Sequence, residues 1–355
     1  MPKKPFKSTI EKLCLFLSAA LLSQALIAQD VHFSQYNDAP LILNPGLTGL
    51  FTGDYRVSTS YRSQWASLDV PFVTYAVAVD TRLFTKSSSS LGVGIMAYRD
   101  MAGNNNFSTT DITLNLSGVI SLNQKQSVSI GLSGGKLQKG LDPSNLQWES
   151  QYVNGSFNSS NPSGEVIDLE PALMGNFSMG MAWWYFSKES HMMGNDQVKA
   201  TAGFAYHHVN QPQMKFYASE PDRLNSKLVA HGTAQIGIPG TNVAVVPGGF
   251  FAMQGASTEL VAGAMLRVML QEESKYTGLV QGLALSTGCH YRVGDAVIPS
   301  VLFEFSKFRL GFSYDITVSE LGEANSGKGG PEFTISYITP NPFTYKQKSL
   351  KRSYL

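Results

Sequence analysis

The chain has 355 residues, of which 15% are charged, and a formal net charge of +1 at pH 7. Soluble domains average about 25% charged residues, so this composition does not favour an ordinary soluble domain. The near-neutral charge argues against a nucleic-acid-binding surface.

Residues 1–28 have the pattern of a secretory signal peptide. Three lysines within the first seven residues precede an apolar run over residues 13–28 that ends in small side chains. This run is too short and wrongly flanked for a permanent membrane helix. Cleavage after Ala28 would leave Gln29 as the new N-terminus, and residues 23–25 offer a second small-x-small site. We therefore predict an exported protein with a net charge of −2 once residues 1–28 are removed.

The two cysteines do not predict a disulfide. Cys14 lies within the predicted signal peptide and does not precede a small-residue cleavage turn, so it is not a candidate for lipid attachment. Cys289 would then be the single cysteine of the mature chain. An exported protein of this size without disulfides depends on its own fold, or on a membrane, for stability.

Residues 29–53 are apolar but have poor strand character. Pro40 and Pro45 prevent this segment from joining a sheet as a central strand. We predict a partial plug at the periplasmic mouth of a barrel, with Asn44 capping a turn and Gly46 allowing a tight bend. The segment either only closes the barrel base and holds the first strand, or also docks a partner. Its side chains that are costly to expose are Leu41, Ile42, Leu43, Leu47, Leu50 and Phe51.

Residues 54–339 predict an all-β fold, a transmembrane antiparallel β-barrel of the outer membrane with about 14 strands. Apolar residues alternate with polar or small ones, which is the period of a strand between two environments. No apolar run after residue 28 reaches the roughly 18 residues of a membrane helix. A closed sheet pairs every backbone group without an edge. The predicted strands lie near 54–65, 72–84, 91–100, 107–121, 126–138, 171–186, 198–209, 227–238, 242–254, 257–270, 279–293, 296–306, 307–319 and 331–338.

An even number of strands places both chain ends on the periplasmic side. The two longest connections, 139–170 and 210–226, are then external. The first is polar and predicts a solvated loop, whereas Phe216 and Tyr217 of the second are candidate partner contacts. Residues 340–355 form a basic tail. The inward faces are dominated by Gly, Ser, Thr and Ala, which could leave a pore or let the plug sit closely.

No pattern in the sequence predicts a catalytic, cofactor or metal site. His207 and His208, with His231 and His290, lack companion ligands at a suitable spacing, and adjacent strand residues point to opposite faces. No nucleophile signature such as G-x-S-x-G occurs, and Gly92-x-Gly94 has no following helix that would make it a nucleotide loop. The aromatic run 183–186, like Trp65, is typical of an interfacial girdle in a barrel, and a ligand cage is the alternative.

Four ordered blocks of the chain resemble the PorP/SprF family of outer-membrane proteins. The first is FSQY (33–36) with LNPGLTG (43–49), and the second is YRSQW (61–65) followed by Pro71. The third is HHVNQPQMKF (207–216), and the fourth is FRLGFSYDITVSEL (308–321) followed by GGPEFTISY (329–337). The residues that match these motifs are Phe33, Gln35, Tyr36, Asn44, Pro45, Gly49, Arg62, Gln64, Trp65, His208, Gln211, Pro212, Phe216, Tyr314, Asp315 and Glu332.

The resemblance implies a non-enzymatic barrel of the type IX secretion and gliding machinery. Such proteins assist the export or surface anchoring of a specific large surface protein with a C-terminal sorting domain. The expected partners are periplasmic and outer-membrane components of that machinery, the exported protein and outer-membrane lipid. The family has no established catalytic residues. A passive porin or small-solute transporter is the alternative, and it would need a wide polar lumen.

Overall fold

The structure, a computed structural model, describes most of the chain after residue 29. The described residues are 30–64, 71–84, 88–103, 107–140, 147–153, 155–164, 172–187, 195, 197–214, 222–271, 282–319 and 327–339. The predicted signal peptide and basic tail lie outside these residues, as do Trp65, Phe216 and Tyr217.

Fourteen antiparallel strands form a closed barrel, and each corresponds to one of the fourteen predicted strands. Two further pairs of two-residue strands, β6–β7 and β10–β11, form small separate sheets. The strands are β1 Tyr55–Gln64, β2 Phe72–Leu83, β3 Ser89–Ala102, β4 Phe107–Ser121, β5 Gln126–Gly140, β6 Tyr152–Val153, β7 Ser156–Phe157, β8 Ala172–Phe186, β9 Val198–His207, β10 Gln213–Met214, β11 Asp222–Arg223, β12 Lys227–Gly237, β13 Val243–Gln254, β14 Ser257–Gln271, β15 Leu283–Arg292, β16 Ala296–Phe305, β17 Phe308–Thr317 and β18 Lys328–Thr339.

The barrel closes where β1 pairs with β18, from Tyr55 opposite Thr339 to Arg62 opposite Glu332. Closure gives each of the fourteen barrel strands a neighbouring strand on both sides, as the interior of a membrane requires. The outer face carries exposed apolar side chains, whereas the inner face is mainly small and polar. Examples of the outer set are Ile112, Leu114, Leu116, Ile130 and Leu132.

Among the described residues, no helix has the length and apolar character that crossing a membrane demands.

The two ends of the barrel differ. We name the end where β1 starts at Tyr55 and β18 finishes at Thr339 the near end, and the opposite one the far end. Both long connections predicted to be external lie at the far end. The connection after β5 was predicted as a plain solvated loop, but it contains the β6–β7 pair and a 3-10 turn at Glu149–Gln151. The rings of Tyr152 and Phe157 pack with centroids 5.5 Å apart.

Residues 30–53, the luminal segment, run through the barrel from end to end. Asp30 N donates to Gln254 Oε1 at 2.9 Å at the far end, and Asp54 N donates to Thr339 O at 2.9 Å at the near end. The segment therefore extends farther than the predicted position at one mouth. It contains 3-10 turns at Tyr36–Asp38 and Pro45–Leu47 and a one-turn helix, α1, at Pro40–Leu43.

The luminal segment supplies much of the hydrophobic core. Leu43, Leu47 and Leu50 are buried in a cluster that also contains Phe250 and Ile298 of the barrel wall. Burying a large apolar side chain contributes about 1.5–3 kcal/mol. An apolar segment that would be costly to expose is thus packed inside the barrel.

A second apolar group surrounds Leu41, which packs with Met96 and Tyr98 of β3. Trp184 faces inward and packs against the larger luminal cluster, whereas Trp183 stacks on Tyr185 with ring centroids 6.0 Å apart. The prediction that the whole aromatic run 183–186 forms an interfacial girdle is therefore wrong for Trp184.

Glycines on the inner face make room for the luminal segment. A Cβ on Gly92 would lie 2.3 Å from Thr48 O, and one on Gly131 would lie 2.3 Å from Pro45 O. Such distances do not occur between real atoms, so these positions require glycine. Of the two readings that the sequence left open, the small inward residues favour close packing of the segment.

Gly46 lies within the tight 3-10 turn Pro45–Leu47, where the bend is predicted, and its φ is not left-handed. A Cβ there would lie 3.0 Å from the backbone carbon of Met181 in β8, so glycine permits a close approach. The left-handed turn lies instead at Gly49, where φ is +66°.

We predict that Gly131→Val weakens the seating of the luminal segment. The added side chain overlaps Pro45 O, and overpacking of this kind costs about 1–3 kcal/mol. The heat-modifiable gel shift of the folded barrel should then occur at a lower temperature than in the wild type.

Gly118→Val is the matched control, because Gly118 faces outward on β4 and a Cβ there meets nothing within 4 Å. Equal shifts for the two variants would contradict the close packing at Gly131.

Candidate functional site

A buried group of charged residues lies in the far half of the lumen. Its side chains come from β1, β14, β15, β17 and β18. We name it the charged clamp. Arg62 Nη2 lies 2.7 Å and Arg292 Nη1 lies 2.9 Å from the same oxygen, Asp315 Oδ2. Arg62 Nε is 3.9 Å from Glu332 Oε2, and Arg292 Nε is 3.0 Å from Glu259 Oε1. Two guanidinium groups therefore face three carboxylates inside the barrel.

The charged clamp binds the luminal segment directly. Glu332 accepts two backbone hydrogen bonds through its two carboxylate oxygens, from Ser34 N at 2.7 Å and from Gln35 N at 2.8 Å. Ser34 Oγ donates to Asp315 Oδ1 at 2.6 Å and accepts from Arg292 Nη2 at 2.7 Å. Charge-assisted hydrogen bonds of this kind are short and strongly directional. The backbone of residues 34 and 35 is thus fixed to β18, and the Ser34 side chain is fixed to β15 and β17.

Gln35 adds a side-chain connection to the same wall. Its Nε2 donates to Glu332 O at 3.1 Å, and its Oε1 accepts from Thr334 Oγ1 at 3.0 Å. A Cβ on Gly311 would lie 2.0 Å from Gln35 Oε1, so a side chain at this point of β17 would displace the Gln35 side chain. Arg62 Nη1 of the charged clamp also donates a hydrogen bond to His32 O of the luminal segment.

A second network surrounds His208 at the far end. His208 Nδ1 lies 2.8 Å from Asn176 Oδ1, and its Nε2 lies 2.5 Å from Asp30 Oδ2. Asn176 Nδ2 donates in turn to Asp111 Oδ2 at 2.8 Å. The beginning of the luminal segment is therefore tied to β8 and, through Asn176, to β4.

Strand alternation predicts that His207 and His208 point to opposite faces of the sheet. In the structure both side chains face the lumen. His207 Nε2 lies 3.3 Å from Leu43 O, while His208 contacts Asp30. The strand ends at His207, and His208 has a φ of +54°, in the left-handed region. Because strand geometry no longer applies at His208, its side chain also faces the lumen.

Asn44 fixes the middle of the luminal segment. Its Oδ1 accepts from Gly46 N at 2.7 Å, which is the predicted turn cap. Its Nδ2 donates to Met181 O at 3.0 Å and lies 3.0 Å from His231 Nε2. The side chain is fully buried and joins the segment to β8 and β12.

The near-end part of the segment is held by Asp80 and two arginines. Asp80 accepts from Gly49 N at 2.7 Å and from Arg56 Nε at 2.9 Å. Arg56 Nη2 also donates to Leu47 O at 3.0 Å, and Arg82 Nε donates to Gly49 O at 2.9 Å. The segment is thus hydrogen-bonded to the wall at the far end, in the middle and at the near end.

The structure brings together many of the motif residues that the resemblance singled out. Gln35, Arg62, Asp315 and Glu332 form the charged clamp or contact it, and His208 forms the second network. Asn44, Pro45 and Gly49 belong to the luminal segment, where Phe33 is buried. Tyr36 packs on Phe250, with ring centroids 4.9 Å apart.

Other motif residues lie apart from these networks. Gln64 is half-buried at the far end of β1, and Tyr314 is half-buried on the outer-facing side of β17. Gln211 and Pro212 lie in the far-end connection after β9. Trp65, Phe216 and Tyr217 fall outside the described residues.

Several residues that hold the luminal segment at the far end, in the middle and at the near end were not singled out from the sequence. A usable signal was present, because charged residues at inward positions stand out in a chain with few charges. Their partners could not have been identified without the strand register. The missed residues are Ser34, Arg56, Asp80, Arg82, Asp111, Asn176, Glu259 and Arg292.

The chemistry of this site is that of holding a segment in one position. Within the described part of the chain, no three His, Cys, Asp or Glu side chains are grouped so that they could hold a metal ion. A buried ion pair adds little net stability, since desolvation offsets much of the attraction, but removing one partner leaves a costly unpaired charge.

We predict that Arg62→Leu destabilises the folded barrel by about 3–5 kcal/mol, because Asp315 and Glu332 would lose a buried positive partner. The free energy of unfolding is measured in detergent micelles by tryptophan fluorescence during urea titration. Arg99→Leu is the control, since Arg99 is exposed on β3. Equal stabilities of the two variants would contradict the role assigned to the charged clamp.

The barrel is similar in structure to several solved barrels. BamA from Haemophilus ducreyi lacking POTRA domains 1–3 is 12% identical, with 81% of this chain and 70% of that chain covered and a TM-score of 0.40. The CymD monoaromatic hydrocarbon channel is 11% identical, with 85% of this chain and 92% of that chain covered and a TM-score of 0.41. CdiB from Acinetobacter baumannii is 6% identical, with 81% and 60% covered and a TM-score of 0.41. These low values give no basis for transferring a function.

No curated protein matches the sequence. The family model of the type IX secretion system membrane protein PorP/SprF, in contrast, matches residues 25–337. This match covers the luminal segment and the barrel strands up to Tyr337, and it confirms the resemblance inferred from the four sequence blocks. The chain belongs to the PorP/SprF family of type IX secretion system membrane proteins and folds as an outer-membrane β-barrel.

Proposed function

We propose that this barrel is a non-enzymatic component of the type IX secretion and gliding machinery. It assists the export or surface anchoring of one large surface protein that carries a C-terminal sorting domain. The observation that supports this proposal is the luminal segment, which occupies the barrel from end to end and is held by motif residues such as Arg62 and Glu332. A lumen closed in this way suits a scaffold or docking protein better than an open pore.

The even strand count supports an orientation for this role. Both chain ends of the barrel lie at the near end, which then faces the periplasm, and the far end faces outward. In this orientation the near end meets periplasmic components of the machinery. The connection between β9 and β12, through Phe216 and Tyr217, meets the exported protein.

A passive porin is the second candidate, and one observation bears on it. Some space remains beside the luminal segment, as a cavity of about 280 Å³ between that segment and the barrel wall. A porin needs a continuous water-filled path with charged groups that set selectivity. The contacts along the luminal segment do not favour such a path.

We predict that the tagged barrel, purified from native outer membranes in mild detergent, recovers periplasmic machinery components together with one large surface protein. Mass spectrometry identifies the recovered proteins. Phe216→Ala combined with Tyr217→Ala should lose the surface protein and keep the periplasmic components. The control is Tyr152→Ala with Phe157→Ala, an aromatic pair in the other far-end connection. Recovery of the barrel alone in repeated extractions would contradict the proposal.

We further predict that the wild-type barrel forms no large, stable channels in planar lipid bilayers, because the luminal segment blocks the lumen. Deletion of residues 30–50 should open a conducting path in any barrel that still folds. Large, stable channels from the wild type would favour the porin instead, and this reading does not depend on the folding of the deletion variant.

A further inference from the structure

The cavity beside the luminal segment lies in the near half of the barrel. It has a volume of about 280 Å³ and is bordered by the Tyr36–Asp38 turn, by α1 and by the inner faces of β9 and β12–β17. Small-molecule sites in proteins have volumes of about 300–1,000 Å³. The cavity is therefore suited to a ligand about the size of a single amino acid.

One side of the cavity carries a guanidinium group with unused donors. Arg309 of β17 lies 3.5 Å from Glu304 Oε1 and 3.5 Å from Asp38 Oδ1, and it forms no short hydrogen bond with either. Its buried Nε has no hydrogen-bond partner among the described residues. The side chain remains 35% exposed, so solvent reaches it.

Competition for the nearby carboxylate explains why Arg309 is poorly satisfied. Glu304 lies directly opposite Arg309 across the β16–β17 pair, but its Oε2 is 2.6 Å from Arg267 Nε. Two guanidinium groups thus share this one carboxylate, and the shorter contact belongs to Arg267. Arginine presents a planar fork of donors that matches a carboxylate with two parallel hydrogen bonds.

Part of the remaining cavity wall is apolar, while polar side chains such as Thr233, Gln235 and His290 form the rest. Leu43 and Leu47 of the luminal segment border the cavity, as do Met265 of β14 and Leu302 of β16. A ligand with a charged head on Arg309 would therefore place its remaining atoms against hydrocarbon side chains. This combination distinguishes an organic acid from a fully hydrated inorganic anion.

We propose that this cavity binds a small organic carboxylate. The carboxylate accepts hydrogen bonds from Arg309, and a short apolar body packs against Leu43, Leu47 and Leu302. Such a group is offered by a free organic acid or by the C-terminal residue of a peptide. The site is separate from the charged clamp and does not depend on the proposed role in secretion.

Calorimetric titration of the full-length barrel in non-ionic detergent tests this site. N-acetyl-L-leucine is the probe for a peptide-like C-terminus, and N-acetyl-L-leucinamide is its neutral counterpart. Succinate represents a small organic acid without an apolar body. We expect saturable binding of N-acetyl-L-leucine and at least about tenfold weaker binding of the amide, since each tenfold corresponds to about 1.4 kcal/mol. Equal binding of acid and amide would overturn the proposal.

Two variants locate the site. Arg309→Gln should weaken binding of N-acetyl-L-leucine at least tenfold, whereas Lys307→Gln should not change it. Lys307 is the matched control because it is an exposed cation in the turn before β17. If Arg309→Gln does not fold, Arg309→Lys, which keeps the charge but loses the planar fork, should still weaken binding. If the Arg309 variant that folds binds N-acetyl-L-leucine as tightly as the wild type does, the assignment is overturned.

A comparison of probes distinguishes a free organic acid from a peptide C-terminus as the ligand. Succinate binding as tight as that of N-acetyl-L-leucine would assign the site to free organic acids, and weaker succinate binding would assign it to peptide-like ligands. Both results support a carboxylate site. Inorganic phosphate that binds as tightly as N-acetyl-L-leucine would overturn the assignment to an organic carboxylate.

Discussion

The backbone of the luminal segment must find hydrogen-bond partners inside the barrel, because an unpaired amide or carbonyl at that depth is costly. The inner face provides them. Ser117 Oγ donates to Thr48 O at 2.5 Å, Ser129 Oγ donates to Gly46 O, and Glu332 accepts two amides. Small polar residues, inward glycines and the charged clamp therefore serve one requirement, which is to accommodate a non-strand chain within a closed sheet.

The barrel itself could be predicted from the sequence because strand alternation is a local property. Each apolar face marks its own strand, and low charge with the absence of long apolar runs identifies the membrane setting. Part of the charged clamp could also be anticipated, since Arg62, Asp315 and Glu332 lie in recognisable motif blocks. Their meeting could not, because it depends on closure of β1 onto β18, which pairs Arg62 with Glu332.

The remaining differences come from tertiary contacts that a local pattern does not contain. His208 leaves strand geometry through a positive φ, so alternation gave the wrong direction for its side chain. The luminal segment was expected at one mouth because its prolines exclude a central strand but do not say how far it extends. Its course is set by glycines on several strands, and the register that aligns them is visible only in three dimensions.

Residues 30–53 lie inside the barrel, and a disulfide between this segment and the barrel wall tests their position most directly. Thr233 Oγ1 donates to Asn37 Oδ1 at 2.8 Å, so cysteines at these two positions should cross-link in native outer membranes when Cys14 and Cys289 are replaced by serine. Mass spectrometry of the linked peptides reads out the bond. We predict efficient cross-linking of this pair and none between Asn37→Cys and Thr241→Cys, since Thr241 lies in the near-end turn after β12. Absence of the first cross-link in folded barrels, or equal formation of both, would contradict this position of the segment.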